Sequence, residues 1–224
     1  AAALPHAPDP EALSHTASRL RRALYAALAH GGGGFDETAP PTLPLKANPH
    51  MHLLESALAW AAAPGRPDGA AWDRMADELA ELALRRFIDP RTGAVHEWFD
   101  GDWRRLAVAG TAPIEPGHQF EWGWLLTLWA EARGREDGLA AGRRLIALAE
   151  AYGVDPIRNL TFGGLDAGLE PADETARLWA QTERIKAWTQ TARRSADPAQ
   201  ADPSQAADAE ARAVRAVDGL FLYM

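Results

Sequence analysis

Two histidines in this chain each stand three residues ahead of a glutamate, shortly after a proline: His52 and Glu55 in ANPHMHLLES, and His118 and Glu121 in EPGHQFEWGW. On a helix, residues three apart share a face. An imidazole with a reference pKa of about 6.5 can take and return a proton near neutrality, and a carboxylate bonded to it fixes its tautomer. The pairs therefore point to proton transfer. The plainer reading is a capped helix start with an amphipathic pair, or a surface pair beside a core tryptophan, and one copy alone would favour it. Two copies, each opening a helix after a long loop, favour chemistry. Asn48 lies one turn before His52 and Trp122 one turn after His118. His50 is rotated about 200° from His52 on a helix and cannot face the same site. In RLWAQTERIKAW, Arg177, Gln181 and Arg184 share one face and Trp179 and Glu183 another, a pattern that a solvated helix with a core tryptophan explains equally well. His6, His15, His30 and His96 have no comparable surroundings and read as surface or loop residues.

Other chemistries find little support. Carboxylate-bridged di-metal bundles use Glu-x-x-His, the reverse order, with further glutamates on partner helices. No metal and no cofactor are expected. There is no P-loop, no dinucleotide-binding glycine fingerprint and no G-x-S-x-G elbow; GGGG at 31–34 reads as a loop. The chain has no cysteine, which removes thiolate chemistry and disulfides. A net charge of -8 argues against nucleic acid or an anionic membrane as partner. No run of about 18 apolar residues suggests a membrane helix, and the first residues do not form a signal peptide. Nine tryptophans suit either a core or a wall for stacking sugars.

Apolar periodicity and breakers predict seven helices over about 11–29, 50–63, 71–87, 117–133, 136–152, 173–193 and 206–222, with Asp173 capping the sixth. In the first, Leu13, Leu20, Leu24 and Leu28 fall near one face. Long connections at 30–49, 88–116 and 153–172 alternate with short ones at 64–70 and 134–135, and 196–208 reads as an exposed linker. Each long connection carries a Gly-rich, strand-like element suited to tight turns or small hairpins. Helix, short turn, helix, long loop is a two-helix repeat. In a closed ring of such hairpins, the helix starts that follow long loops gather at one end. The whole chain, 1–224, reads as one domain.

ANPHMHLLESALAW, EPGHQFEWGWLL and RLWAQTERIKAW, in this order and spacing, resemble the N-acylglucosamine 2-epimerase superfamily, especially its bacterial mannose isomerase and mannose-6-phosphate isomerase-like branch. The resemblance covers about residues 10 to 224. It implies an all-α fold, an (α/α)6 barrel of twelve helices. It implies that His118 is a catalytic acid/base supported by Glu121, and that His52 contacts substrate or assists ring opening. It further implies substrate binding by Asn48, Trp179, Gln181, Glu183 and Trp122. The family's other catalytic histidine and an early pocket arginine have no counterpart here, and the chain lacks an initiator Met, so an incomplete barrel of about seven helices is expected. The implied reaction is His-mediated aldose–ketose isomerisation of the mannose/fructose type through a cis-enediol. The alternatives are N-acylglucosamine or cellobiose-type 2-epimerisation, or an inactive sugar-binding or scaffold paralogue. A glycoside hydrolase on a similar barrel would need two carboxylates flanking the bond, whereas these clusters centre on histidine. The expected partner is a monosaccharide and the expected setting cytoplasmic; a homodimer is compatible with both.

Overall fold

The computed structural model describes residues 6–63, 68–108, 111–197 and 203–223, with side chains through 221. The described residues form seven α-helices and four short strands: α1 (Pro10–Leu28), β1 (Leu45–Lys46), α2 (Asn48–Ala62), α3 (Gly69–Leu82), β2 (Trp98–Phe99), α4 (Pro116–Arg133), α5 (Glu136–Tyr152), β3 (Gly164–Leu165), β4 (Pro171–Asp173), α6 (Leu178–Ser195) and α7 (Pro203–Tyr223). A π-helical turn, Ala83–Phe87, continues α3. No helix among the described residues is long and apolar enough to cross a membrane. Packing divides the chain into two compact units, Ala1–Phe87 with Trp98–Leu106, and Ile88–Glu97 with Ala107–Met224.

The helix ends follow local chemistry. Pro10 sits in the first turn of α1, where its missing N–H costs nothing, and Asp9 accepts a hydrogen bond from the Ala12 N–H at 2.9 Å. Pro116 opens α4, and Gly134 ends it in the left-handed conformation at φ 63°, bonding the last carbonyls. Glu136 and Asp137 in the first turn of α5 suit the positive end of its dipole. The sixth helix starts later than the sequence suggests, because residues 171–173 pair as β4 with β3. Asp173 does not cap it. Its Oδ1 accepts from the Thr175 N–H and hydroxyl, which closes a turn before the helix. Residues 203–208 belong to α7 rather than to a linker. Residues 198–202 of that segment, and 64–67 of the short connection after α2, lie outside the described residues.

In the first unit, Met51, Leu54, Met75, Leu79 and Leu82 bring α2 and α3 together. Phe87, Phe99 and Trp103 close the loop end, with ring centroids 4.9 to 5.8 Å apart. The leucine face of α1 is not the buried one. Ser14 and Ser18 are buried while Leu20 is 66% exposed. In the second unit α4 packs against both α5 and α6, and α6 against α7. The α4–α5 approach is close enough that a Cβ on Gly123 would meet Ile146 Cγ1 at 2.6 Å, and one on Gly142 the Gly123 carbonyl at 2.6 Å. Trp122, Leu125, Leu126, Trp129, Leu145 and Ala149 fill the space around this contact.

The long loops repeat one construction. After α1, after the π-turn and after α5, the chain makes a tight turn closed by an isolated bridge: Ala29 to Phe35, Ile88 to Val95 and Val154 to Thr161. The residue after the first bridge position accepts a side-chain hydrogen bond from the N–H two residues on, as His30, Asp89 and Asp155 in turn. A side chain early in the following helix then clamps the far bridge residue. His50 Nε2 accepts from the Phe35 N–H at 2.9 Å, Gln119 Oε1 from Val95 at 2.7 Å, and Gln181 Oε1 from Thr161 at 2.8 Å. Each clamp also reaches the carbonyl four residues before it, at Lys46, Glu115 and Arg177. Three buried side chains thus satisfy loop backbone groups that the turn would otherwise leave unpaired.

His50 is the variant clamp, and burial holds its imidazole down at a pKa of about 4. Below pH 6.5 the unfolded chain takes up a proton that the folded chain refuses, so stability falls as pH drops from 6.5 towards 4. His50→Gln installs the clamp found in the other two loops. It should change unfolding free energy at neutral pH by less than about 1.5 kcal/mol and flatten this acid-side loss, as read by thermal unfolding across pH.

Candidate active site

His118 lies in the first turn of α4, 6% exposed. Its Nδ1 is 2.9 Å from Oε1 of Glu97, which is 4% exposed. Glu97 comes from the clamped loop before α4, two residues beyond Val95, and its own N–H bonds to Pro113 C=O at 3.0 Å. Burial by itself would lower the His118 pKa. The charge of Glu97, the hydrogen bond to it, and the fields of Glu115 and Glu121 outweigh burial and raise the pKa to about 9. Glu115 is itself pushed upward, by burial first and by Glu97, against the pull of His118 and Arg177. With Nδ1 engaged, Nε2 is the nitrogen that can meet a substrate.

Trp179 stands beside this imidazole, with ring centroids 4.9 Å apart and a 35° tilt. It opens α6 and is half-buried, as a stacking wall requires. It fits there because residue 117 is glycine: an added Cβ would lie 2.6 Å from the indole and 2.9 Å from Ala180 Cβ. Gly117→Ala should therefore displace Trp179, cost about 1–3 kcal/mol as an overpacked site, and shift tryptophan emission. Deeper in the same unit, Glu183 is 8% exposed, accepts from Trp124 Nε1 at 3.1 Å and pairs with Lys186 at 2.9 Å. The Lys186 ammonium lies 4.5 Å from the Trp124 ring centre.

Some of the side chains marked in the sequence are used otherwise. Trp122 is fully buried among the core residues of α4. Gln181 is a clamp. Its amide nitrogen donates to the carbonyls of Thr161 and Arg177 and its oxygen accepts from Thr161 N–H, so it is committed to the backbone. Glu121 is 4% exposed and acts on His118 through its charge, while the carboxylate on Nδ1 is Glu97. His96 lies in a loop but is buried there at 7%, with Nε2 3.7 Å from Asp89 Oδ2. Glu97 carries no signal in the sequence because its partner is 21 residues away, beyond any helical spacing.

In the first unit, His52 is exposed on α2, facing away from the buried His50 as their spacing requires, and its ring lies within 4.8 Å of the Glu55 carboxylate. Asn48 opens the same helix half-buried, and its Oδ1 is shielded from solvent without a hydrogen-bond partner. Buried polar atoms are nearly always satisfied, so such an atom invites a ligand or a water. The loop place that Glu97 fills is taken here by Glu37, which pairs with Lys46 at 2.9 Å.

A cavity of about 740 Å³ lies at the far end of α4 and α6, lined by Leu128, Glu131, Gln190 and Arg194 among others. It is separate from the His118–Trp179 cluster, because those residues open their helices at the other end.

The fold and this site define a class: helical hairpins in repeat, with a buried, carboxylate-bonded imidazole where a long loop enters a helix. A sequence profile of the N-acylglucosamine 2-epimerase (GlcNAc 2-epimerase) family matches residues 1–220, and the chain belongs to that family. It is 47% identical over 169 residues to mannose-6-phosphate isomerase of Rhizobium meliloti (strain 1021), covering 75% of this chain and 43% of that protein. Among solved structures it resembles D-mannose isomerase, with a TM-score of 0.75 at 17% identity over 92% of this chain and 52% of that one. Cellobiose 2-epimerase from Spirochaeta thermophila DSM 6192 gives 0.69 at 16% identity over 94% and 52%. The all-α fold class is that of these (α/α) barrel proteins. The chain spans about half the length of the relatives it matches.

Proposed function

We propose that the protein of which these residues form a part is an aldose–ketose isomerase acting on a monosaccharide of the mannose/fructose type by imidazole-mediated proton transfer. The carrying observation is the buried His118–Glu97 pair beside Trp179. A proton leaves C2 of the open-chain aldose, a cis-enediol(ate) forms, and a proton returns to C1 to give the ketose. Trp179 supplies an apolar wall for a sugar face, and Glu183, His52 and Asn48 are the groups we assign to substrate hydroxyls. Proton transfer at these carbons can be carried by side chains, so the reading calls for no redox cofactor. The mannose-6-phosphate isomerase relative supports the isomerase assignment. The family description and the cellobiose 2-epimerase neighbours support a second reading, in which the proton returns to C2 from the opposite face. We place the enzyme in the cytoplasm.

Incubating D-mannose with the full-length protein in D2O and following the sugar by NMR separates the two. Ketose with deuterium at C1 supports isomerisation. An aldose inverted and labelled at C2, without ketose, would replace it with epimerisation. No exchange and no turnover with any aldose would overturn both.

A further inference from the structure

We propose that Glu37, Lys46 and Trp98, in the first compact unit, form a hydroxyl-binding subsite that accepts a sugar carrying a free hydroxyl and turns away the same sugar carrying a phosphate there. The inference rests on the isomerase reading for the ligand being a monosaccharide; the geometry belongs to this unit alone.

β1 and β2 pair antiparallel, with Leu45 opposite Phe99 and Lys46 opposite Trp98. Successive strand residues face opposite ways. Leu45 and Phe99 are buried, Phe99 against Phe87 and Trp103, so Lys46 and Trp98 share the other face. There the Lys46 ammonium lies 5.6 Å from the Trp98 ring centre and 2.9 Å from Oε2 of Glu37. The Lys46 and Glu37 side chains are 39% and 21% exposed, so a ligand can reach the pair. Glu37 stands two residues beyond the far bridge residue Phe35, as Glu97 stands two beyond Val95. Glu97 grips the imidazole that opens α4, and Glu37 the cation that precedes α2. The third such place is Gly163, where the clamp closes the loop without a carboxylate. The turn itself therefore does not call for one.

Among the described residues, Oε1 of Glu37 and Nε1 of Trp98 are shielded from solvent and have no hydrogen-bond partner, and the same holds for Oδ1 of Asn48, two residues past Lys46. Buried polar atoms are nearly always satisfied. An indole N–H lacking an acceptor and two oxygens lacking donors therefore describe the ligand. A hydroxyl both gives and accepts a hydrogen bond and serves either kind. A phosphate dianion only accepts. It would satisfy Trp98 but neither oxygen, and would set its charge against that of Glu37. The Lys46 ammonium does not offset this repulsion, because Glu37 already neutralises it. Arg104, on the turn after β2, is engaged by Asp100 and Asp102. The patch matches the neutral, hydroxyl-bearing end of a sugar.

The test compares kcat/KM for D-mannose and D-mannose 6-phosphate in the full-length protein and in Glu37→Gln and Trp98→Phe, with folding checked by thermal unfolding. The native protein should prefer the free sugar by about 10-fold or more, as like charges in contact require. Glu37→Gln releases Lys46 and should cut that preference by about 10-fold. Trp98→Phe should lower kcat/KM for mannose by about 3–10-fold, the loss of one hydrogen bond, with a smaller effect on the phosphate. A merely structural role would lower both substrates together and leave their ratio unmoved. A native preference for the phosphate, or an unchanged ratio in a folded Glu37→Gln, overturns the subsite while mannose turnover keeps the isomerase reading. No turnover of any aldose removes that reading, and calorimetric titration with the same two sugars then decides the subsite: a preference for mannose that Glu37→Gln erases upholds it, and its absence overturns it.

Discussion

Replacing His118 with alanine is expected to reduce turnover of the full-length enzyme by about 10²-fold or more, the usual loss when a positioned acid–base group is removed. The effect belongs in kcat, because in the proposed reaction His118 acts on the reacting atoms while Trp179 and Glu183 are the groups assigned to hold the sugar. The same variant carries a second signature that needs no substrate. The folded pKa of His118 is raised to about 9 from 6.5. The pair's contribution to stability is therefore fully present below pH 6.5 and is lost as pH climbs through 9. His118→Ala should lack that alkaline loss in thermal unfolding. Near-normal turnover in a folded His118→Ala protein would refute the assigned role.

Arg184→Ala is expected to be the most damaging single change to stability, costing about 3–5 kcal/mol, the range for breaking one partner out of a buried ion pair. Arg184 is 1% exposed. Its Nε and Nη2 grip both oxygens of Glu150 at 2.9 and 2.6 Å, and its Nη1 donates to the Asn159 backbone and side-chain oxygens at 3.0 Å. Trp188 Nε1 donates to the same Glu150 at 2.8 Å. Removing the guanidinium leaves a carboxylate and the Asn159 oxygens short of donors in a site water reaches poorly. Arg184→Lys keeps the charge but cannot reproduce the fork, so it should fall between the two. Urea unfolding measures both. An alanine variant within about 0.5 kcal/mol of the parent, the effect of an ordinary surface substitution, would show that the network contributes little.

Much of the scaffold is legible in the residues alone. Proline at the start of α2 and α4, glycine after α4 and 3.6-residue periodicity mark seven helices close to their observed limits, because those signals act over one or two turns. The start of the sixth helix is not legible in this way, because a three-residue strand competes with a helix for residues 171–173, and that competition is decided by pairing with 164–165. The site divides in the same way. His118 stands out as a helix-opening imidazole, and Trp179 by its motif. Glu97 does not, since a contact across 21 residues leaves no periodic trace. Trp122 and Gln181 illustrate the converse: the motif marks them, but their full burial and, for Gln181, its backbone hydrogen bonds become visible only in the fold.

The three clamps also bear on how such a scaffold can change its chemistry. In every repeat the anchoring side chain is followed or preceded by a position free of that duty. Immediately before it stand Pro49, His118 and Ala180, and two residues after it His52, Glu121 and Glu183. Holding the loop and, in the proposed site, acting on a ligand thus fall to different side chains. New reactive groups can be fitted at the neighbouring sockets while the frame stays anchored, an arrangement that favours divergence of activity over loss of shape.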